Sequence, residues 1–274
     1  VKSIFSYIPI ASGSSGNCTI VETNKVKILV DIGISYKRVR EGLESFDVSV
    51  HDIDRVYITH AHGDHTQGLV VFLKNTTADV YTRAATKRVL LKKFPKLELY
   101  QDRIKELNGS NEEQVQDLSV YYCKLPHLGK GKDYDDTGEH IGFVFEAHGH
   151  RMSFMTDLGH LTENMKRFHC NSDVYFIEAN YDHNLQANSD RPSFVKNRIV
   201  GDSGHLSNHQ TAEYLYEMSD AKRTKHVFLA HLSKDCNTKE LAVGTVRKKL
   251  DSHPVSKELE IHTKVSKRYF VKPA

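Results

Sequence analysis

The sequence predicts an α/β fold, a sandwich of strands with helices outside it. Two patterns carry this reading. Short runs rich in Val, Ile, Tyr and Phe recur from Val26–Val30 to Glu260–His262, the composition of strands that fit a pleated, half-buried surface. Helical periodicity falls between some of these runs, so strands come first in hairpin-like groups and later alternate with helices. A third pattern adds a site: several strand runs end in a side chain able to bind a metal or move a proton.

In chain order the strand runs are Val26–Val30, Arg55–Thr59, Asp79–Tyr81, Ser119–Cys123, Ile141–Ala147, Met152–Thr156, Val174–Glu178, His226–Ala230 and Glu260–His262. Helices are expected over Thr82–Phe94, which carries Val89, Leu90 and Phe94, and over His209–Met218, which carries Ala212, Leu215, Tyr216 and Met218. A third is expected over Asn237–Leu250, opened by a capping box of Asn237 with Glu240. Arg55–Thr59 runs into His60, Met152–Thr156 into Asp157, Val174–Ile177 into Glu178 and His226–Ala230 into His231. Strand ends are rigid platforms with loops beyond them, and side chains there converge when the strands share a rim. No internal repeat or Pro/Gly-rich linker divides the chain, so residues 1–274 read as a single domain.

A chain of 274 residues can bury a sizeable core. Its 39% apolar and 27% charged residues belong to a globular protein, not a disordered one. No apolar run is long enough to span a membrane, and Val1-Lys2-Ser3-Ile4-Phe5-Ser6 lacks the apolar stretch of a secretory signal. Cys18, Cys123, Cys170 and Cys236 are far apart and form no Cys-x-x-Cys pair, the pattern of a reduced, cytoplasmic protein. A net charge of +3 is compatible with a polyanionic partner.

The densest chemical signal is Thr59-His60-Ala61-His62-Gly63-Asp64-His65-Thr66-Gln67-Gly68. Four potential ligands this close crowd a single tetrahedral ion. A turn at Gly63 directs His60 and His62 to one side and Asp64 and His65 to another, which serves two adjacent ions. Imidazole and carboxylate donors suit Zn²⁺, Mn²⁺ or Fe, and the expectation is two divalent ions per chain, Zn²⁺ or Mn²⁺. Two ions about 3.5–4 Å apart can share a hydroxide and stabilise a phosphoryl transition state.

This segment resembles the His-x-His-x-Asp-His signature of the metallo-β-lactamase superfamily, and the resemblance covers nearly the whole chain. Leu29-Val30-Asp31-Ile32-Gly33 resembles its strand-Asp-x-Gly element. His127 in Leu125-Pro126-His127 fits its third histidine, Asp157 in Thr156-Asp157-Leu158-Gly159-His160 its bridging aspartate, and His231 in Leu229-Ala230-His231-Leu232-Ser233 its last ligand. The resemblance implies an αββα sandwich of two mixed sheets flanked by helices. It also implies one metal held by His60, His62 and His127, another by Asp64, His65 and His231, and Asp157 bridging both. His140 is a rival for the place of His127. His160 either holds a ligand carboxylate or completes a turn, and Asp31 accepts from a ligand imidazole or from the backbone of the metal loop.

Two further elements, Phe176-Ile177-Glu178-Ala179-Asn180-Tyr181-Asp182-His183 and Gly201-Asp202-Ser203-Gly204-His205-Leu206-Ser207-Asn208, resemble motifs of the superfamily's nuclease branch. There a histidine lies beside the scissile phosphate and an acidic residue orients it, roles that would fall to His205 and Glu178. With Asp64 these are the catalytic candidates. A histidinium can protonate the leaving alkoxide or neutralise a non-bridging oxygen, and a carboxylate behind the ring fixes its tautomer. Residues 11–18, 178–183, 196–199, 204–208 and 231–233 are similar to the YycJ/WalJ group, which implies 5′-to-3′ exonuclease action on duplex DNA. The chain has Pro126-His127 where those relatives have Thr-His, and Glu178-Ala179-Asn180 where many have Glu-Ser-Asn. Both departures keep the ligand or acid.

The Gly/Ser-rich loop Ser12–Asn17 either turns a hairpin or offers donors to a phosphate, and it lacks the Walker Gly-Lys-Ser/Thr ending. Ser12, Ser14, Ser15, Asn17, Arg198, Ser207 and Asn208 are the candidate phosphate contacts. Lys130 and Lys132, and Arg191, Lys196 and Arg198, are best placed to clamp phosphates, whereas Lys87, Arg88, Lys92, Lys93 and Lys96 read as a solvated helix face. The function expected is a metal-dependent phosphodiesterase, a 5′-to-3′ DNA exonuclease, with nucleic acid as partner and no membrane. The alternatives are an RNase Z-like or small cyclic-nucleotide phosphodiesterase, or a metal-stabilised nucleic-acid binder without turnover.

Overall fold

The computed structural model describes residues 3–107, 111–127, 138–255 and 258–272; Lys130 and Lys132 lie outside them. The described residues fall into two compact units. One comprises residues 3–107, 111–120, 138–141 and 265–272; the other comprises 121–127, 142–255 and 258–264.

The first unit contains β1 (Phe5–Ala11), β2 (Cys18–Thr23), β3 (Lys27–Val30), α1 (Tyr36–Glu44), β4 (Arg55–Tyr57), α2 (Gly63–Thr66), α3 (Leu69–Asn75), β5 (Asp79–Thr82), α4 (Ala84–Lys93), β6 (Ile104–Glu106), β7 (Glu112–Val115), the start of β8 (Leu118–Lys124) and the chain's last strand, β14 (Tyr269–Lys272). Its sheet runs β14-β1-β2-β3-β4-β5-β6. The β14, β1, β2 and β3 pairings are antiparallel, and those from β3 to β6 are parallel. Every residue of β1 and β2 is buried, so these strands carry no polar–apolar alternation to read. Ser6 and Glu22 are tolerated inside because the Ser6 hydroxyl donates to the Glu22 carboxylate at 2.7 Å. That is why β1 and β2 were not expected from the sequence. Helix α1 begins at the Ser35 cap and turns Val39 and Leu43 into the core.

The second unit contains β9 (Ile141–Ala147, from its second residue), β10 (His150–Met155), α5 (Glu163–His169), β11 (Val174–Glu178), α6 (His183–Ala187), α7 (Ser193–Val200), α8 (Asn208–Met218), β12 (His226–Ala230), α9 (Lys239–Leu250) and β13 (Glu260–His262). The second sheet has the order β13-β12-β11-β10-β9-β8-β7. Strands β10, β11, β12 and β13 are parallel, and β9 joins β10 antiparallel. Phe154, Phe176 and Phe228 are in register on β10, β11 and β12 and stack with ring centroids 4.3 and 4.7 Å apart. Such a cross-strand ladder pins the register of the strands that carry the site. Helix α8 opens with a capping box of Ser207 and Gln210 and buries Ala212, Leu215 and Met218.

Two mixed sheets with flanking helices bear out the expected fold class. Two helix starts differ from expectation. Thr82 ends β5 and the helix begins at Ala84. Helix α9 is capped by Thr238, whose side chain accepts from the Leu241 amide; Asn237 instead exchanges hydrogen bonds with Asn208 and donates to the Ala179 carbonyl. A buried amide network thus wins over the local cap. Among the described residues no helix is long and apolar enough to cross a membrane.

Candidate metal centre

In the first unit the parallel strands β3 and β4 deliver the donors at their carboxyl ends, where open α/β sheets place ligands. Asp31 leaves β3 with φ 62°, a left-handed conformation that disfavours a branched chain. Its carboxylate accepts from the Thr59 amide at 2.9 Å and from its hydroxyl. It lies 2.7 Å from His65 Nδ1. Burial raises the Asp31 pKa, and the His65 imidazole opposes that rise. The Nδ1–H of His65 therefore donates to Asp31, and its Nε2 lone pair is left for another partner. That Nε2 lies 3.6 Å from Asp64 Oδ2. His60 is held likewise: Thr59 Oγ1 lies 2.9 Å from its Nδ1, and its Nε2 converges on His62 Nδ1 at 2.9 Å.

The Gly/Ser loop between β1 and β2 clamps this segment. The Asn17 amide donates to the Asp64 carbonyl at 2.8 Å, Gly33 donates to the Asn17 carbonyl at 2.7 Å, and Asn17 Nδ2 lies 3.1 Å from His65 Nε2. A side chain at Gly33 would place Cβ 1.6 Å from the Asp64 carbonyl oxygen, so only glycine permits that approach. Ser12 is half-buried, and Ser14 and Ser15 are exposed. Lys93 departs from the solvated-face expectation: its ammonium donates to the Ala61 carbonyl, between His60 and His62, at 2.7 Å. His140 is buried and packs edge-on to His60 with centroids 4.4 Å apart.

In the second unit, β10, β11 and β12 run into Asp157, Glu178 and His231. Asp157 and His231 have φ of 56° and 54°. Asp157, Glu178, His205 and His231 each offer a ligand atom, and these atoms lie within 4.8 Å of one another. Glu178 is the hub. Its Oε1 lies 2.9 Å from His205 Nδ1 and 2.7 Å from His231 Nδ1. Its Oε2 accepts from the Leu158 and Leu206 amides at 3.1 and 3.2 Å. Burial alone would raise its pKa, but His205 and His231 hold the carboxyl well below the usual range. Asp157 Oδ1 lies 3.5 Å from His231 Nδ1, 3.7 Å from His205 Nδ1 and 3.9 Å from His127 Nε2. His127 Nδ1 donates to the Gly204 carbonyl at 3.1 Å. Its pKa is pushed down to about 4 by burial, against the opposing charge of Asp157. His160 Nδ1 binds the Asp202 carbonyl at 2.7 Å, latching the Asp157 turn to the His205 loop.

The donor chemistry fits divalent metal in both units. Nδ1 of His60, His65, His127 and His231 each meets an oxygen, which presents Nε2 as the lone pair. This is the arrangement that orients metal-binding imidazoles. A family model described as a beta-lactamase superfamily domain matches residues 27–231. The chain belongs to that superfamily. Within it, the chain is 32% identical over 244 residues to the exodeoxyribonuclease WalJ of Streptococcus pneumoniae serotype 2, covering 88% of this chain and 87% of that one. It is 28% identical over 258 residues to the exodeoxyribonuclease YycJ of Bacillus anthracis, covering 92% of each. The fold is also that of zinc-bound PqqB from Methylobacterium extorquens, with a TM-score of 0.71 at 13% identity, covering 96% of this chain and 99% of that one. Superfamily membership and the clustered donors make the protein a metal-dependent hydrolase.

Sequence reasoning missed three features of this superfamily site. Glu178 holds His231 as well as His205. Thr59 and Asn17 support His60 and His65. Asn180 Nδ2 donates to the His231 carbonyl at 2.8 Å. The Asn17 placement has a sequence signal, a polar residue closing a Gly-rich turn, but that signal does not name its partner. Other phosphate candidates have structural partners of their own: Ser207 caps α8 and Asn208 is buried against Asn237. Arg191 pairs with Asp235 at 2.8 Å, Lys196 donates to the Ala187 carbonyl at 2.7 Å, and Arg198 is exposed.

Proposed function

We propose that the protein is a DNA exonuclease that degrades duplex DNA in the 5′-to-3′ direction. The residues that would hold divalent ions are His60, His62, Asp64 and His65 in the first unit and His127, Asp157 and His231 in the second. Zn²⁺ and Mn²⁺ both suit this set. Bound there, divalent ions activate water near neutral pH and neutralise charge on the phosphoryl group. The observation that carries the reading is the Glu178–His205 contact of 2.9 Å beside Asp157. The carboxylate accepts a hydrogen bond from the Nδ1–H of His205 and turns its Nε2 outward, where a protonated ring can donate to the departing 3′ oxygen. Such a pair suits expulsion of an alkoxide, which leaves more readily when a positioned acid protonates it. The two relatives named as exodeoxyribonucleases support DNA as the substrate. Arg198, Ser14 and Ser15 are exposed and can meet the strand; a cytoplasmic location accords with the dispersed thiols.

End-labelled duplex DNA, single-stranded DNA, RNA and cyclic nucleotides, digested in parallel, test the reading. Duplex DNA labelled at the 5′ end should release labelled mononucleotide first. His205→Ala should abolish cleavage while metal content stays at the wild-type value. Preference for RNA or a cyclic nucleotide would replace the DNA reading. Full activity in His205→Ala would remove the role given to this histidine.

A further inference from the structure

At the opposite end of β12 from His231 lies a second set of donors that the hydrolytic chemistry does not use. His226 opens β12 and is in register with Glu260, which opens β13. Because side chains alternate along a strand, His262 shares the face of Glu260. Parallel neighbours lie about 4.8 Å apart, so the three side chains meet. The imidazoles stack with centroids 5.4 Å apart and planes 26° apart.

The separations of the donor atoms are specific. His226 Nδ1 lies 3.3 Å from His262 Nε2. The same Glu260 Oε2 lies 3.4 Å from His262 Nε2 and 3.7 Å from His226 Nδ1. The two carboxylate separations exceed the roughly 2.7–2.9 Å usual for charge-assisted hydrogen bonds, and the imidazole pair lies at the long end of hydrogen-bond distances. They match something else. A tetrahedral ion with bonds of about 2.0–2.1 Å sets its ligand atoms about 3.3–3.4 Å apart. Two imidazole nitrogens and one carboxylate oxygen thus form one face of a tetrahedron, and the group is among those whose ligand atoms lie within 4.8 Å of one another. We propose that His226, Glu260 and His262 bind a further divalent ion, Zn²⁺ by preference, with water in the fourth position.

The surroundings suit a structural clip. The His226 and His262 side chains are 28% and 13% exposed, whereas Glu260 is 66% exposed, so the fourth position faces solvent. Strand β13 has three residues and forms the edge of its sheet. Besides its pairing with β12, it is anchored through the Glu260 amide to the Lys225 carbonyl at 2.9 Å. Just before it, Arg247 donates to the Leu259 carbonyl at 3.0 Å. An ion bound across β12 and β13 would tie this short strand to its neighbour. Five residues of strand separate His226 from His231, roughly 16 Å, so the clip is distinct from the donors at the other end.

The test counts zinc. Full-length protein is equilibrated with excess Zn²⁺, desalted, and assayed for zinc per chain by elemental analysis. The His226→Ala/His262→Ala double variant should hold one zinc fewer than the wild type and lose part of the zinc-dependent rise in Tm. Its cleavage of DNA, in parallel assays, should match the wild type. Glu260→Gln, at a largely exposed side chain, keeps the fold intact and should weaken the additional zinc at least tenfold. Far-UV circular dichroism checks the fold of both variants. Because the readout is a difference of one ion, it holds whatever the remaining donors bind. Equal zinc counts in wild type and double variant, or an unchanged affinity in Glu260→Gln, overturn the site.

Discussion

The two units build their donors in opposite ways. In the first, His60, His62, Asp64 and His65 come from one short segment, and the fold supplies only supports: Asp31, Thr59, Asn17 and Lys93. In the second, each donor comes from a different strand end or loop, and Glu178 ties Leu158, His205, Leu206 and His231 together through one carboxylate. A local segment tolerates the loss of one support because others remain. An array that converges on a single hub does not. The second unit is therefore the more fragile half of the chemistry.

Removing the hub breaks the comparison most sharply. Glu178→Gln replaces the carboxylate that His205 and His231 share with a neutral amide that has only one acceptor oxygen. kcat should fall by roughly 10³-fold or more, the scale seen when an imidazole loses the carboxylate that sets its tautomer, measured on labelled duplex DNA. In the first unit, Asp31→Ala removes one support of several. Metal affinity should drop about 10–100-fold, read by chelator competition, while the backbone clamp of Asn17 and Gly33 keeps the segment in place. A drop in kcat as deep as that of Glu178→Gln would erase the distinction drawn between the units.

Smaller effects sharpen it. Burial first, and then the charge of Arg151, push buried His169 down to about 3. An unfolded histidine titrates near 6.5. The fold holds the neutral ring, so this contribution is full above about pH 6.5 and is lost as pH falls from there through about 3. The slope is up to about 1.4 kcal/mol per pH unit. Urea unfolding at pH 7 and pH 5.5 should show the loss, and His169→Phe should flatten it. Ser207→Ala deletes the α8 cap and should cost about 1 kcal/mol, read as a shift of the denaturant midpoint at constant m-value.

Legibility in the sequence followed the same division. His60 to His65 could be read because its spacing is itself the geometry. Asp157, Glu178 and His231 could be read as strand ends, since the runs before them are apolar. That all three meet one another depends on the parallel register of β10, β11 and β12, which no local pattern encodes. Strands β1 and β2 were illegible because burial on both faces removes alternation and because Ser6 and Glu22 satisfy each other inside. Asn237 misled because its preference for a helix start lost to a buried pairing with Asn208.

Three of the strand-end residues, Asp31, Asp157 and His231, sit in left-handed backbone, which costs a non-glycine residue of order 1 kcal/mol. At Asp157 this cost is joined by that of keeping a carboxylate almost wholly inside the protein. A glycine there would relax the chain and remove the buried anion in a single step. Replacement of Asp157 by glycine is accordingly downhill in folding free energy, so the carboxylate is kept there at a cost in stability.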